Sequence, residues 1–325
     1  FSINCHCVSS ISPDTNLTIN GAGAGAAGTI QITNFLGDLV TANASSGAIA
    51  ITLDTEVGGD VAIGANANAG TDFTITGGAG TNTVTTQAIA GDFIGDDSLA
   101  SILVVTGTSA AQTITGGDGA DTIIGAGGAD SLSGGDGNDV FQFVDSAQLV
   151  AATNGVIGEV GTDVIHLTTA DTGIVDADFA NVTTVETLQL TGASTATLGS
   201  NADTAGLDSA TGTIKTGTGA TSITGANDKH FTIDTTSLAN DTALTLADSG
   251  TSNFTVTNLT GNVETTALAG TLTVTTAENT DDNDIEIQTS VAATTVNTTA
   301  SQANTADTVT IDAENLADDT NLTIN

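Results

Sequence analysis

The chain has no tryptophan, tyrosine, methionine or arginine, a single proline (Pro13), and two lysines, Lys215 and Lys229. Against those two cations stand 38 acidic residues, for a formal net charge of −36. Nucleic-acid binding is thereby excluded, because phosphate contacts need a basic footprint. Anionic membrane surfaces are disfavoured on the same ground. Self-repulsion on this scale opposes a compact state unless cations or salt neutralise it. The scarcity of Lys and Arg also denies trypsin-like proteases their cleavage sites. No window approaches the roughly 20 apolar residues of a membrane-spanning helix, so membrane insertion is not expected. Two cysteines occur together, as Cys5-His6-Cys7. This C-x-C pair admits a strained disulfide, intermolecular disulfides, or part of a soft-metal site with His6. With no other cysteine to complete a zinc set, an ordinary terminal segment is expected, and an interchain bond is the alternative.

What the chain has in quantity is Thr, Val, Ile, Ala, Asn, Asp and 39 glycines, a strand-and-turn composition. Segments such as Ile30–Thr33, Ala48–Leu53, Leu272–Thr275 and Thr308–Ile311 alternate apolar and small polar residues with period two, the pattern of strands buried on one face. No segment shows helical periodicity over three turns; Ser98–Val104 and Ala303–Leu316 come nearest. Scarce aromatics suit a narrow core.

The chain also repeats itself. TIDTTSLANDTALTL (232–246) and TIDAENLADDTNLTI (310–324) match at nine of fifteen positions, offset by 78. DTNLTIN occurs at 14–20 and again at 319–325, and a TN-x-x-G signature recurs at Thr33, Asn34, Gly37 and at Thr257, Asn258, Gly261. A fainter echo lies at 185–194. Strand repeats at fixed offsets imply a β-solenoid or β-sandwich-like modules. The expectation is an all-β rod with modules of about 78 residues: an N-terminal strand-repeat module (1–105), a β-roll (106–145), a middle β module (146–230) and a C-terminal strand-repeat module (231–325). Because the chain stops within a copy of its own early segment, the last module is expected to continue in a longer protein or to pair with the next subunit.

Residues 116–142 read GGDGADTII-GAGGADSLS-GGDGNDVFQ, three nonapeptides of the form G-G-x-G-x-D-x-U-x with U large and apolar. This is the pattern of the calcium-binding β-roll repeat. Calcium takes six to eight oxygen ligands, and a glycine-rich six-residue turn can offer several main-chain carbonyls while its closing aspartate adds a carboxylate. Two nonapeptides make one coil, so the turns Gly116, Gly117, Asp118, Gly119, Asp121 and Gly134, Gly135, Asp136, Gly137, Asp139 should stack and share a calcium. Asp121 and Asp139 are the principal carboxylates of one well-formed site, with Asp118 and Asp136 as candidate helpers. The middle turn, with Gly128 and Asp130, faces the other way between degenerate partners (107–112 and 143–148), and Asp130 is assigned at most a weaker ion. Ile114, Ile123, Leu132 and Phe141 fall nine residues apart, as stacked apolar positions require. GEVGTDVIH (158–166) is a faint further copy, expected to be a relic turn rather than a site.

Together, these nonapeptides, the degenerate GTDVIHL (161–167) and FANVTTVETLQLTG (179–192) resemble secreted bacterial RTX proteins, in particular the Thr/Ala-rich, Lys-poor surface-layer and β-strand-repeat proteins. The resemblance implies type I secretion, calcium-driven folding outside the cell and self-assembly into a lattice or filament. The leading expectation is a secreted, calcium-stabilised structural subunit of a surface layer, sheath or extracellular filament. Its partners are further copies of itself, with cell-surface polysaccharide a further candidate. The alternatives are an RTX adhesin or surface-binding stalk, and a non-catalytic part of an RTX exoenzyme. Catalysis is not expected, since neither H-E-x-x-H nor G-x-S-x-G occurs. His166 sits in a strand pattern, His230 in an expected solvated turn, and the pairs Asp96-Asp97, Asp281-Asp282 and Asp318-Asp319 in turn-like contexts.

Overall fold

A computed structural model describes residues 102–325 apart from 153, 210, 227, 267, 278–283, 299–307 and 319. Before residue 102 it describes Asp92 and the strands Ser2–Asn4, Leu17–Ile19, Ile30–Phe35, Leu39–Thr41, Ile49–Leu53, Val61–Gly64, Phe73–Thr76, Thr83–Thr86 and Phe93–Gly95. Cys5 and Cys7, the Asp96-Asp97 and Asp281-Asp282 pairs, and Asp319 lie outside the described residues. The chain divides into two units, one of Phe1–Phe143 with Ala147–Val164, the other of Val144–Ser146 with Ile165–Asn325.

Both units are parallel β-solenoids. Most strands pair in parallel with the next but one, so consecutive strands fall alternately into two sheets, and the alternation shifts by one strand between residues 155 and 198, where a third sheet begins. Period-two alternation makes this possible: one side chain in two enters the narrow space between the sheets and stacks on its equivalent one coil away. In the first unit the register runs Ile49, Phe73, Phe93, Ile114, Leu132, Val156. The last five are buried, and Phe73 and Phe93 stack at 6.5 Å. Ile123 and Phe141 form the facing row in the other sheet. The nine-residue apolar series is therefore two facing rows, each with an 18-residue period.

In the second unit the inward row Ile214, Ile233, Val256, Val274, Val296 is buried throughout. Beside it, outward, Thr232, Thr255, Thr273, Thr295 and Thr323 stand in unbroken register. Coils are also clipped at their corners by Asx side chains. Asp228 Oδ1 accepts both the N–H and the hydroxyl of Thr251 (2.8 and 2.6 Å), and Asn253 Oδ1 takes both from Thr271 (2.8 and 2.7 Å). Asp284 does the same for Thr308.

The repeat at offset 78 has a meaning other than the expected module. Thr232 lies in a strand of one sheet and Thr310 in a strand of the opposite sheet. The repeating object is the half-coil, strand plus corner, and similar half-coils serve either sheet because both present the same inward and outward faces.

Among the described residues the helices are Ser146–Ala151, Ser200–Ala205 and a 3-10 turn at Asp176–Phe179. They occur away from the two segments expected to come nearest to helix; Ile102–Thr106 and Val309–Asp312 are strands. Both short α-helices are corner insertions. Ser200–Ala205 starts where Asp176 Oδ1, from the preceding coil, accepts the N–H groups of Gly199, Asn201 and Ala202 at 2.7, 3.1 and 3.0 Å. It ends at Gly206 with φ +124°. No helix among the described residues is long and apolar enough to cross a membrane.

Candidate metal centre

The nonapeptide turns depend on a backbone that ordinary residues resist. The second turn position takes positive φ in every copy: Gly117 +128°, Ala126 +66°, Gly135 +102° and Glu159 +76°. Gly117 pairs with Gly135, and Gly135 with Glu159, so three turns, 116–121, 134–139 and 158–163, stack on one side of the coil. The approach is close enough that a Cβ on Gly135 would overlap the Gly117 carbonyl oxygen, and one on Gly161 would overlap that of Gly137.

The closing aspartates of this stack form a ladder. Asp121 Oδ1 accepts the Leu103 N–H at 2.7 Å, Asp139 Oδ1 the Asp121 N–H at 2.8 Å, and Asp163 Oδ1 the Asp139 N–H at 2.8 Å. Each acid thus reaches back one coil and ties its turn to the turn before. All three are interior, at 1%, 0% and 0% exposure. Asp121 Oδ2 and Asp139 Oδ2 are buried with no hydrogen-bond partner. Burial pushes the Asp121 carboxyl up to about 7, against the Leu103 N–H, which lowers it. It pushes Asp139 to about 7 as well, against the Asp121 N–H, with the charges of Asp121, Asp163 and Glu159 adding to the rise.

Those two unpartnered oxygens sit in matching cradles. The position a Cβ would take on Gly116 is filled by Asp121 Oδ2 from its own turn and by the Gly134 carbonyl oxygen from the next. On Gly134 the same position is filled by Asp139 Oδ2, with the Gly158 carbonyl oxygen 2.9 Å away. Carboxylate and carbonyl oxygens brought to the same glycine, with no hydrogen-bond donor paired to the carboxylate oxygen, suit a hard cation. No group of three His, Cys, Asp or Glu side chains converges on a metal position among the described residues. A cation here would be held by main-chain carbonyls with single carboxylates, Asp121 and Asp139 supplying the latter.

The opposite side of the coil is built differently. Asp130 is buried, and its Oδ1 accepts the Gln112 N–H at 3.0 Å, but the position matching Asp121 one coil earlier is Gln112, whose Oε1 already takes the Thr108 N–H at 2.6 Å. Beyond the turn, Gln148 of the Ser146–Ala151 helix donates to the Ala126 carbonyl at 2.5 Å, and Asn154 Nδ2 to the Ala129 carbonyl at 2.8 Å. Burial lifts Asp130 only to about 6, against the Gln112 N–H.

Of the residues expected at the site, the structure brings together Gly116, Gly117, Asp121, Gly134, Gly135, Gly137 and Asp139. It leaves Asp118 and Asp136 exposed, outside the cradles. Gly128 and Asp130 belong to the opposite side. The segment 158–163, expected to be a relic, is the third member of the stack. Its G-x-x-G-x-D spacing was the available signal. Leu132 pairs with Val156 across a 24-residue coil, longer than the 18 residues of the nonapeptide pairs, because the helix Ser146–Ala151 is inserted. His166 is half-buried with Nε2 3.2 Å from Thr191 Oγ1, and burial lowers its pKa. His230 opens the strand His230–Asp234 rather than lying in a turn, with Nε2 3.3 Å from Thr255 Oγ1.

A parallel coil with glycine turns and an interior aspartate row has the build of a metal-binding β-roll. Residues 106–141 match the family model of the RTX calcium-binding nonapeptide repeat, in four copies. The match supports an RTX-type calcium-binding protein, and calcium is the metal these repeats bind. Such repeats are typical of secreted or surface proteins. Comparison with curated proteins and with solved structures finds no significant match.

Proposed function

We propose that the chain is a secreted structural protein, a subunit of a surface layer, sheath or extracellular filament, whose folding is timed by calcium. The observation that carries this is the pair of buried oxygens, Asp121 Oδ2 and Asp139 Oδ2, which have no hydrogen-bond partner and share a glycine cradle with a carbonyl of the next turn. Burying such groups unpaired costs several kcal/mol, and a cation removes the penalty. Bound calcium supplies positive charge to the aspartate row and ligand bonds between successive turns. Where calcium is scarce, as inside a cell, the sites stay empty and ordering a chain of charge −36 is disfavoured. Where it is abundant, binding to the folded state alone pulls the equilibrium over. Parallel coils held by main-chain ladders, Asx clips and a metal row suit a structural role, since each coil pairs its strands with those of its neighbours and such a pattern can be extended coil by coil. This role is non-catalytic.

A groove in the second unit favours a second reading, that of an adhesin. It is lined by Gln189, Thr191, Lys215, Thr216, Asp234 and Ser237 among others, and the buried Thr216 Oγ1 has no partner. Such donors and acceptors suit the hydroxyls of a polysaccharide. Electron microscopy of the full chain with and without calcium decides between them. Sheets or filaments that need calcium support the structural role; dispersed monomers retained on immobilised polysaccharide support adhesion.

A further inference from the structure

We propose that the calcium row extends past the matched repeats to a second ion position, between turns 134–139 and 158–163, and runs on that side of the coil alone. This deepens the calcium assignment above and rests on it. The second cradle repeats the first, part for part. Gly116 faces Asp121 Oδ2 and the Gly134 carbonyl; Gly134 faces Asp139 Oδ2 and the Gly158 carbonyl. Gly116, Gly134 and Gly158 are all buried, and Asp139 Oδ2, fully buried, has no hydrogen-bond partner. The Asp139 N–H is held by Asp163 Oδ1 just as the Asp121 N–H is held by Asp139 Oδ1.

The segment supplying that second carbonyl lies outside residues 106–141, carries Glu159 in place of the second turn glycine, and arrives after a 24-residue coil rather than an 18-residue one. None of these departures disturbs the cradle. Glu159 adopts the positive φ of the missing glycine, and its carboxylate accepts the Ser133 hydroxyl. The extra residues are taken up by the helix Ser146–Ala151 at the opposite corner.

That helix also accounts for the one-sidedness. On the Asp130 side, among the described residues, no carbonyl of a following turn comes as near to Gly125 as Asp130 Oδ2 and Leu132 do. The Gln148 and Asn154 amides instead donate to the Ala126 and Ala129 carbonyls. Below, Gln112 stands where the metal row has an aspartate, with its oxygen already engaged by the Thr108 N–H. Gly125, the counterpart of Gly134 and Gly158, brings its carbonyl to Gly107, where it meets that amide oxygen of Gln112 instead of a carboxylate, so the two corners are closed by different chemistry.

The test is the number of calcium ions bound by the full chain, measured by equilibrium dialysis with radioactive calcium, alongside far-ultraviolet circular dichroism to confirm the fold. Two tight ions per chain are expected, falling to one in Asp139→Asn and staying at two in Asp130→Asn. One ion in the wild-type chain, two in a folded Asp139→Asn, or a loss in Asp130→Asn overturns this inference while leaving calcium binding itself intact. No bound calcium overturns both. If Asp139→Asn does not fold, the wild-type count alone decides.

Discussion

The Asp121 N–H donates to Asp139 Oδ1 at 2.8 Å, across a separation of 18 residues. Both residues are turn-closing aspartates, both are interior, and each keeps its second carboxylate oxygen free of hydrogen-bond partners. One oxygen joins the coils through the main chain, and the other is the oxygen that the proposed calcium would take. The first consequence is a ranking. Asp139→Ala removes both contributions and is expected to weaken calcium-induced folding by more than about tenfold. Asp130→Ala, on the amide-capped side, should have a smaller effect. A calcium titration followed by circular dichroism measures both, and equal effects would sink the assignment.

The pH dependence follows from the same burial. Asp121 and Asp139 titrate at about 7 in the metal-free fold against 3.8 for an ordinary aspartate. Their folded-state values are raised, so their contribution to metal-free stability is fully present below pH 3.8 and is lost as pH rises through about 7. The metal-free chain should therefore melt at higher temperature near pH 4.5 than at pH 8, and calcium should abolish the difference. Overall charge acts in the same direction. The Asp121→Asn, Asp139→Asn double variant separates the two: a pH dependence left as steep as in the parent chain would show the row is not responsible.

Ala126 occupies a glycine position with φ +66°. Left-handed backbone costs a non-glycine residue roughly 1–2 kcal/mol, of which glycine returns part through its freer unfolded chain. Ala126→Gly is expected to stabilise the calcium-loaded protein by about 0.5–1 kcal/mol in a denaturant titration. A loss of stability would mean that the turn does not hold that conformation in solution.

Gly135→Ala probes the stack from the other direction. Its φ is +102° and an added Cβ would meet the Gly117 carbonyl oxygen, main-chain atoms that cannot turn aside. Strain and overlap together should cost more than about 3 kcal/mol. Wild-type calcium affinity in this variant would contradict the close stacking of turns 116–121 and 134–139.

The clips of the second unit make a prediction that is independent of metal. Asn253 Oδ1 holds both donors of Thr271. Asn253→Ala should lower stability by about 1 kcal/mol, equally with and without calcium, whereas Asn253→Asp, which copies the Asp228 and Asp284 clips, should be close to neutral. Calorimetry of the three proteins reports the comparison.

Much of the candidate site was legible before any fold was known. The nine-residue recurrence of Gly116–Asp121, Gly125–Asp130 and Gly134–Asp139 placed the first and third turns on one side, and their 18-residue register agrees. Turn 158–163, expected to be a relic turn, joins the stack in register although its 24-residue distance along the chain breaks the 18-residue period. The offset-78 repeat was visible as matching residues, but not which sheet each copy joins, since inward and outward faces read the same in both sheets.

The chain by itself determined strands rather than helices, a narrow core, and calcium as the ion, because alternation, side-chain size and turn glycines are local properties. The tertiary structure decided which aspartates keep an unpartnered oxygen, and that amides from 148 and 154 close the other corner. Both facts depend on what the next coil brings, and the coil that brings turn 158–163 has its length set by the inserted helix Ser146–Ala151 rather than by the nonapeptide repeat.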